Sequence, residues 1–277
     1  MNADLHSHST ASDGLLTPAN LVRRAKHNGV ELLALTDHDE ISGLPEARAA
    51  ARECGLPFVN GVEISVSWGD DLTLHIVGLG IDDTNARLVD GLARVRQGRD
   101  GRAMRMADEL AKVGIHGAYA GALKYAGNPA LIGRSHFARY IVEIGLVKDA
   151  KSVFDHWLAK GKPGYVSHPW ATLEEAVGWI RGSGGLSVVA HPGRYRLSRR
   201  ELREMFEEFK ALGGDAIEVL SGTQSENDNR DLAKLAREFG FMASRASDFH
   251  GPGESWIDIG RMPPLPEGLT PIWPRLI

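Results

Sequence analysis

Six histidines and three carboxylates recur along this 277-residue chain in short motifs whose spacing suits metal binding. His6 and His8 lie in Asp4-Leu-His-Ser-His-Ser9, Asp13 in Ser12-Asp-Gly14, and His38 in Thr36-Asp-His-Asp39. Glu63 follows in Gly61-Val-Glu-Ile-Ser65, His75 in Leu74-His-Ile-Val77 and His191 in Ala190-His-Pro-Gly193. Asp248 and His250 close the series in Ser247-Asp-Phe-His-Gly251. Side chains at i and i+2 of a strand point to one face, so His6/His8 and Asp248/His250 can each grip a cation from a rigid strand end. Mixed imidazole and carboxylate donors suit zinc, manganese or iron. A lone histidine beside an apolar run is ordinarily a packing residue. Two His/Asp-x-His pairs at opposite ends of the chain are not explained by packing, because a core gains nothing from titrating groups.

The elements that must position these residues are legible as apolar runs. Strand character falls at Leu32–Thr36, Phe58–Val62, Leu72–Leu79, Leu186–Ala190, Ala216–Leu220 and Phe241–Ser244. Amphipathic helical patterns lie between several of them, at 18–28, 43–54, 172–182, 199–212 and 227–239. Thr17-Pro18 and Ser42 are helix starts, and Gly29 and Gly55 are stops. This alternation predicts an α/β fold with a mainly parallel sheet, and ligands at strand ends are what a β/α barrel presents on its catalytic face. The alternation breaks between about 84 and 168, where helical patterns run at 86–113, 117–126, 134–144 and 149–160. That stretch is too long for a loop. The expected organisation is therefore a barrel from 1–83 and 169–277, with 84–168 a helical insertion over its mouth.

Composition restricts the class. Hydrophobic content of 43% and charged content of 25% are those of a globular protein. No run approaches 18 apolar residues and the N-terminus lacks a signal-peptide pattern, so no membrane association is expected. The single cysteine, Cys54, makes no internal disulfide and fits a reducing, cytoplasmic setting. The net charge of −4 is uneven: residues 91–151 hold eleven Lys/Arg against five acidic residues, about +6, leaving about −10 elsewhere. A basic segment accompanying a metal site points to an anionic substrate.

Leu-His-Ser-His-Ser, Thr-Asp-His-Asp, Gly-Val-Glu-Ile-Ser, Ala-His-Pro and Ser-Asp-Phe-His resemble the signature of the PHP (polymerase and histidinol phosphatase) metal-dependent phosphoesterases. The likeness spans roughly residues 3–80 and 183–262 and is greatest to the branch containing nucleoside 3′,5′-bisphosphate phosphatases and RNA 5′-end exonucleases. The resemblance implies a distorted (β/α)7 barrel with two or three divalent ions per chain, Mn2+ by preference and Zn2+ or Fe2+ as alternatives. It assigns His6, His8, Glu63 and Asp248 to one position, Glu63 as a bridge with His75 and His191 to a second, and Asp13, His38 and His250 to a third. Three divalent ions less Asp13, Glu63, Asp248 and one bridging hydroxide leave about +2, which suits a phosphomonoester dianion better than a neutral amide. The expected reaction is attack of that hydroxide on phosphorus, with Glu63 bridging and His191 or His250 as candidate proton donors. Asp37 and Asp39 are expected to orient ligand imidazoles.

In the insertion, Gly133-Arg-Ser-His-Phe-Ala-Arg139 resembles a segment of the same branch. Arg134, Ser135 and His136 there, with Arg99 and Arg102 one helical turn apart, are candidates for binding a second phosphate, and Asp13 and His38 would also face the substrate. Trp170, Tyr165 and Phe249 are candidates for stacking on a base, with core packing the alternative. The implied substrate is a nucleoside 3′,5′-bisphosphate, losing its 3′ phosphate, with no obligate protein partner. Alternatives are 5′→3′ trimming of short RNA, histidinol-phosphate hydrolysis, an amidohydrolase, and a non-catalytic metal-binding module.

Overall fold

The computed structural model describes residues 1–69, 72–195 and 197–277. Seven strands form one sheet in sequence order: β1 (Ala3–Asp4), β2 (Leu32–Leu35), β3 (Phe58–Trp68), β4 (Leu72–Leu79), β5 (Leu186–Val189), β6 (Ala216–Ser221) and β7 (Met242–Ala246). The first strand's extension meets the last. Leu5 N donates to Arg245 O at 3.3 Å, Asp248 N to His6 O at 3.1 Å and His8 N to Phe249 O at 2.9 Å. The sheet therefore closes into an α/β barrel. The β1/β2, β2/β3, β5/β6 and β6/β7 pairs are parallel, whereas β4 runs antiparallel to both neighbours. Only three residues separate β3 from β4, and so short a connection can only join antiparallel strands. β3 also continues past the predicted end at Val62, through Glu63 to Trp68, because β4 pairs with it from Gly61 to Trp68.

Ten helices are described: α1 (Pro18–His27), α2 (Leu44–Cys54), α3 (Ala86–Gln97), α4 (Arg99–Lys112), α5 (Ala118–Leu123), α6 (Arg134–Glu143), α7 (Ala150–Val153), α8 (Leu173–Gly182), α9 (Arg199–Ala211) and α10 (Glu226–Phe239). Their ends follow local chemistry. Capping boxes open α8 (Thr172 with Glu175), α9 (Ser198 with Glu201) and α10 (Ser225 with Asp228). Left-handed Gly55 and Gly240 close α2 and α10. The single helix predicted over 86–113 is two, broken at Gly98, where the His168 ring packs so closely that any side chain would collide with it.

The chain divides into two compact units, Met1–Leu92 with Trp170–Ile277, and Ala93–Pro169. In the first, buried residues from six strands, among them Ala3, Leu32, Val59, Val77, Val188 and Ala216, meet in one apolar cluster. The second unit has its own core, with Met106, Leu110, Phe137 and Ile141 fully buried. Among the described residues no helix is long and apolar enough to cross a membrane.

Candidate metal centre

The apolar interior gives way to polar side chains one layer further along the strands. Ala216 belongs to the apolar cluster and Glu218, two residues on, does not; Val77 belongs to it and His75 does not. Because β4 is antiparallel, His75 precedes its apolar neighbour whereas Glu218 follows, and both still reach the same end of the barrel.

All nine predicted ligands converge there. Glu63 is fully buried and stands at the centre. Its Oε1 lies 2.7 Å from His75 Nδ1 and 3.0 Å from His191 Nε2. Its Oε2 lies 2.8 Å from His38 Nδ1, 3.2 Å from His6 Nε2 and 3.3 Å from His8 Nε2. Asp248 Oδ1 is 3.4 Å from His8 Nε2 and 3.7 Å from His6 Nε2. Asp13 is looser, with its oxygens 3.5 Å from His250 Nε2, 3.8 Å from His38 Nε2 and 3.9 Å from His8 Nδ1. His8 and His38 stand between groups: His8 clusters both with His6 and Asp248 and with Asp13, His38 and His250, while His38 also clusters with Glu63 and His75.

These spacings test whether cations fit. Metal–ligand bonds of 2.0–2.2 Å place neighbouring ligand atoms about 3.0–3.5 Å apart. The 3.1 Å between His6 Nε2 and His8 Nε2, with the 3.2–3.4 Å edges to Glu63 and Asp248, has those dimensions. Nδ1 of His8 and Nδ1 of His191 are also buried without a hydrogen-bond partner. The imidazole Nε2 and carboxylate atoms that face one another fit divalent cations between them.

The electrostatics agree. Burial pushes the Glu63 carboxyl up, but the imidazoles of His38, His75 and His6 and the hydrogen bond with His191 outweigh it and hold the group well below the usual carboxylate range. Asp248 is held well below its usual range in the same way, against burial, by His8, His6, His250 and Arg194. Burial, with His250 and His38 alongside, takes His8 down to about 3, and burial with Arg194 takes His191 to about 3. Both imidazoles are thus neutral at physiological pH, as ligands must be. His6 goes the other way: burial disfavours its charge, yet Glu63 and Glu218 raise it well above the ordinary value, a sign that positive charge is favoured at that point.

Backbone strain is concentrated here as well. Among the described residues the only non-glycine residues with positive φ are Asp39 (+50°), His191 (+30°) and Asp248 (+53°), two of them candidate ligands and the third beside His38. Asp37 does not orient an imidazole. Its carboxylate accepts from Ser9 N at 2.7 Å, Ser9 Oγ at 2.7 Å and Ser12 Oγ at 2.6 Å, and so ties down the loop that presents Asp13. Burial lifts Asp37 to about 6 against those hydrogen bonds. Asp39 accepts from Ser65 N and Oγ, at 2.7 and 2.9 Å, fixing β3 just beyond Glu63.

Two charged residues at the centre were not singled out from the sequence. Glu218 Oε1 is 2.7 Å from His6 Nδ1, and Arg194 Nη1 is 2.8 Å from Asp248 Oδ2. A lone carboxylate inside the apolar run Ala-Ile-Glu-Val-Leu was the available signal for Glu218. One adds a negative and the other a positive charge, so the charge balance inferred from the ligands stands.

Of the stacking candidates, Phe249 is 1% exposed and is a core residue under the Arg24 guanidinium. Trp170 is half-buried, with its Nε1 donating to Thr73 Oγ1 at 3.2 Å, and Tyr165 lies in the second unit.

The remaining predicted residues also belong to the second unit. Arg99 and Arg102 on α4 are both buried. The Arg99 guanidinium approaches Gly133, the residue that precedes Arg134 at the start of α6. Burial, with Arg134 and Arg99 alongside, takes the Arg102 guanidinium down to about 9. Such crowding of like charge at a helix N-terminus suits an anion. His136 is buried, and its Nδ1 accepts from Gly133 N at 3.0 Å, which makes it the cap of α6; Ser135 sits half-buried in the first turn.

The model of the PHP domain family matches residues 4–221. The chain is 51% identical to a 3′,5′-nucleoside bisphosphate phosphatase from Chromobacterium violaceum, over 99% of this chain and 96% of that one. It is 45% identical to a 5′-3′ exoribonuclease from Salmonella typhimurium, over 98% of this chain and 92% of that one. A solved structure described as an amidohydrolase from Chromobacterium violaceum, with bound sulfate and no metal, is 51% identical and superposes with a TM-score of 0.96, covering 100% of this chain and 96% of that one.

Proposed function

The chain belongs to the PHP domain family, and from that premise we propose that it is a divalent-metal-dependent phosphoric monoester hydrolase acting on nucleoside 3′,5′-bisphosphates, removing the 3′ phosphate to leave the 5′ monophosphate. The observation that carries the reading is the buried Glu63 carboxylate ringed by five imidazoles, with Asp13 and Asp248 on either side. Two or three ions, Mn2+ by preference, fit these mixed donors. When bound they supply hydroxide at neutral pH and screen the phosphate's charge. The chain's own residues hold the geometry. Glu63 joins two ligand groups, His6 and His8 face it from the extension of β1, and Arg194 keeps a half-exposed cation beside Asp248. Burial beside Arg194 takes His191 down to about 3, and His191 and His250 both stand among the candidate ligands, so protonation of the departing oxygen falls to solvent.

The substrate assignment is supported by the 51% identity to a bisphosphate phosphatase and by chemistry within the second unit, where Arg99, Arg102 and Arg134, with Ser135 at the α6 N-terminus, suit a further phosphate. Histidinol phosphate has no use for it. The donor set includes Asp13, Glu63 and an Asp248/His250 pair, which fits an amidohydrolase less well, and with every ligand position filled a non-catalytic module is disfavoured. The second reading is 5′→3′ trimming of short RNA, favoured by the 45% identity to an exoribonuclease. Both substrates and the lone cysteine suit the cytoplasm.

Phosphate release by protein loaded with Mn2+, Zn2+ or Fe2+, against a panel of nucleotides, histidinol phosphate, amides and lactones, tests the proposal. Turnover confined to phosphate esters is expected. Hydrolysis of an amide or lactone without phosphate release would overturn it.

A further inference from the structure

Glu218 is a carboxylate in an expensive place. It sits on β6 one layer above Ala216 of the apolar interior, is 1% exposed, and is flanked in sequence by the buried Ile217 and Val219. A carboxylate taken out of water must be compensated by hydrogen bonds. Both of its oxygens are engaged: Oε1 is 2.7 Å from His6 Nδ1, and Oε2 accepts from the backbone N–H of His191 at 2.7 Å. These two partners follow different strands, His6 after β1 and His191 after β5. His6 stands in two ligand groups, with His8 and Asp248 and with Glu63 and His191, so the carboxylate holds a histidine of one group and two of the other.

Each contact does specific work. An ionised carboxylate only accepts, so Glu218 takes a proton from His6 Nδ1 and leaves Nε2 as the atom that would bind a cation; Nε2 faces His8 Nε2 at 3.1 Å and Glu63 Oε2 at 3.2 Å. At His191 the hydrogen bond holds a backbone with φ of +30°, a conformation that a non-glycine residue leaves unless it is held. That backbone directs His191 Nε2 to within 3.0 Å of Glu63 Oε1.

We propose that Glu218 is a positioning residue that holds His6 and His191 as ligands with one carboxylate, so that the two metal positions they serve load and empty together. The inference rests on the metal-centre reading. Glu218 reaches the centre through His6 Nδ1 and the His191 N–H. Its carboxylate orients donors by their far side.

Glu218→Gln keeps the shape of the side chain but replaces one acceptor oxygen with a donor NH2, so it can serve His6 or His191 but not both. Glu218→Ala removes both contacts. The readout is metal content per chain by plasma mass spectrometry, after dialysis of the Mn2+-loaded protein against a graded series of chelator. The melting temperature of the metal-free protein and separate kcat and KM values accompany it. Wild-type protein should release its ions at a set chelator strength. Glu218→Gln should lose two ions together at roughly 10–100-fold lower chelator strength. Its metal-free melting temperature should stay near wild type, and saturating Mn2+ should recover most of kcat with KM unchanged. Release of a single ion, retention equal to wild type, or weakened retention matched by a fall in metal-free stability would overturn the proposal. If Glu218→Ala fails to fold, Glu218→Gln alone decides. Wild-type protein that binds no divalent ion in the same titration would instead overturn the metal-centre reading itself.

Discussion

Gly14 offers a way to move one ligand without touching it. A Cβ placed there would lie 2.5 Å from His8 C and 2.7 Å from Ser9 N, and closer still to His8 O, all of them backbone atoms that cannot swing aside. Bringing those contacts out to 3.0 Å or beyond needs a displacement of about half an ångström or more. The segment that must move carries Asp13, whose neighbour Gly14 N is held by Ser9 O at 2.8 Å. Metal–ligand bonds tolerate about ±0.2 Å, so Gly14→Ala should cost the third position its carboxylate. Misplacement on this scale is worth roughly 10²-fold in kcat/KM. Overpacking should cost about 1–3 kcal/mol of stability, a fall in Tm of roughly 2–10 °C. Gly29→Ala is the control: φ there is +80° with nothing within 4 Å, so about 1–2 kcal/mol of backbone strain should lower Tm and leave turnover alone. Steady-state phosphate release, calorimetry and metal content on both variants make the comparison. A Gly14→Ala enzyme with wild-type turnover and full metal content would refute the claim that this backbone contact sets the position of Asp13.

Exhaustive chelation should abolish turnover and lower Tm, since ions that bind only the folded chain stabilise it; Mn2+ should restore activity best, and full turnover after chelation would end the metallo-hydrolase reading. Glu63→Ala should be the most damaging single ligand change, removing several kcal/mol of charge stabilisation, roughly 10³-fold in kcat/KM, with more than one ion lost per chain. A smaller effect than Asp13→Ala in the same assay would show that Glu63 does not bridge. Arg134→Ala should weaken bisphosphates by about 30–150-fold, the roughly 2–3 kcal/mol of a charge-assisted contact, while sparing simple monophosphates; equal loss for both would place Arg134 outside the second anion site.

The nine candidate ligands, which the fold brings together, were legible because each sits in a short motif whose residue types, and for His6/His8 and Asp248/His250 whose i, i+2 spacing, already suggest the chemistry. The strands and most helices were legible from periodicity and caps. Direction was not: Leu72–Leu79 has the same apolar pattern whether it runs with its neighbours or against them, and only the short connection from β3 makes it antiparallel. The reach of β3 was hidden because Glu63 and Ser65 interrupt its apolar run, being the residues it carries to the site. The demand for glycine at 98 comes from His168, seventy residues away in sequence. Arg194 escaped for a related reason, since its role is a contact to Asp248 that no local pattern encodes, and for Glu218 the apolar run marked a buried charge but not its partners His6 and His191.

The most direct test of the account compares kcat/KM for adenosine 3′,5′-bisphosphate with those for the 3′ and 5′ monophosphates and histidinol phosphate, using Mn2+-loaded protein, and identifies products by phosphorus NMR. The bisphosphate should lead by at least the roughly 30–150-fold attributed to Arg134, with the 3′ phosphorus converted to inorganic phosphate and the 5′ monophosphate accumulating. Faster turnover of histidinol phosphate than of any nucleotide would contradict the account, and 5′ mononucleotides released stepwise from short RNA in preference to bisphosphate cleavage would replace the phosphatase with an exonuclease.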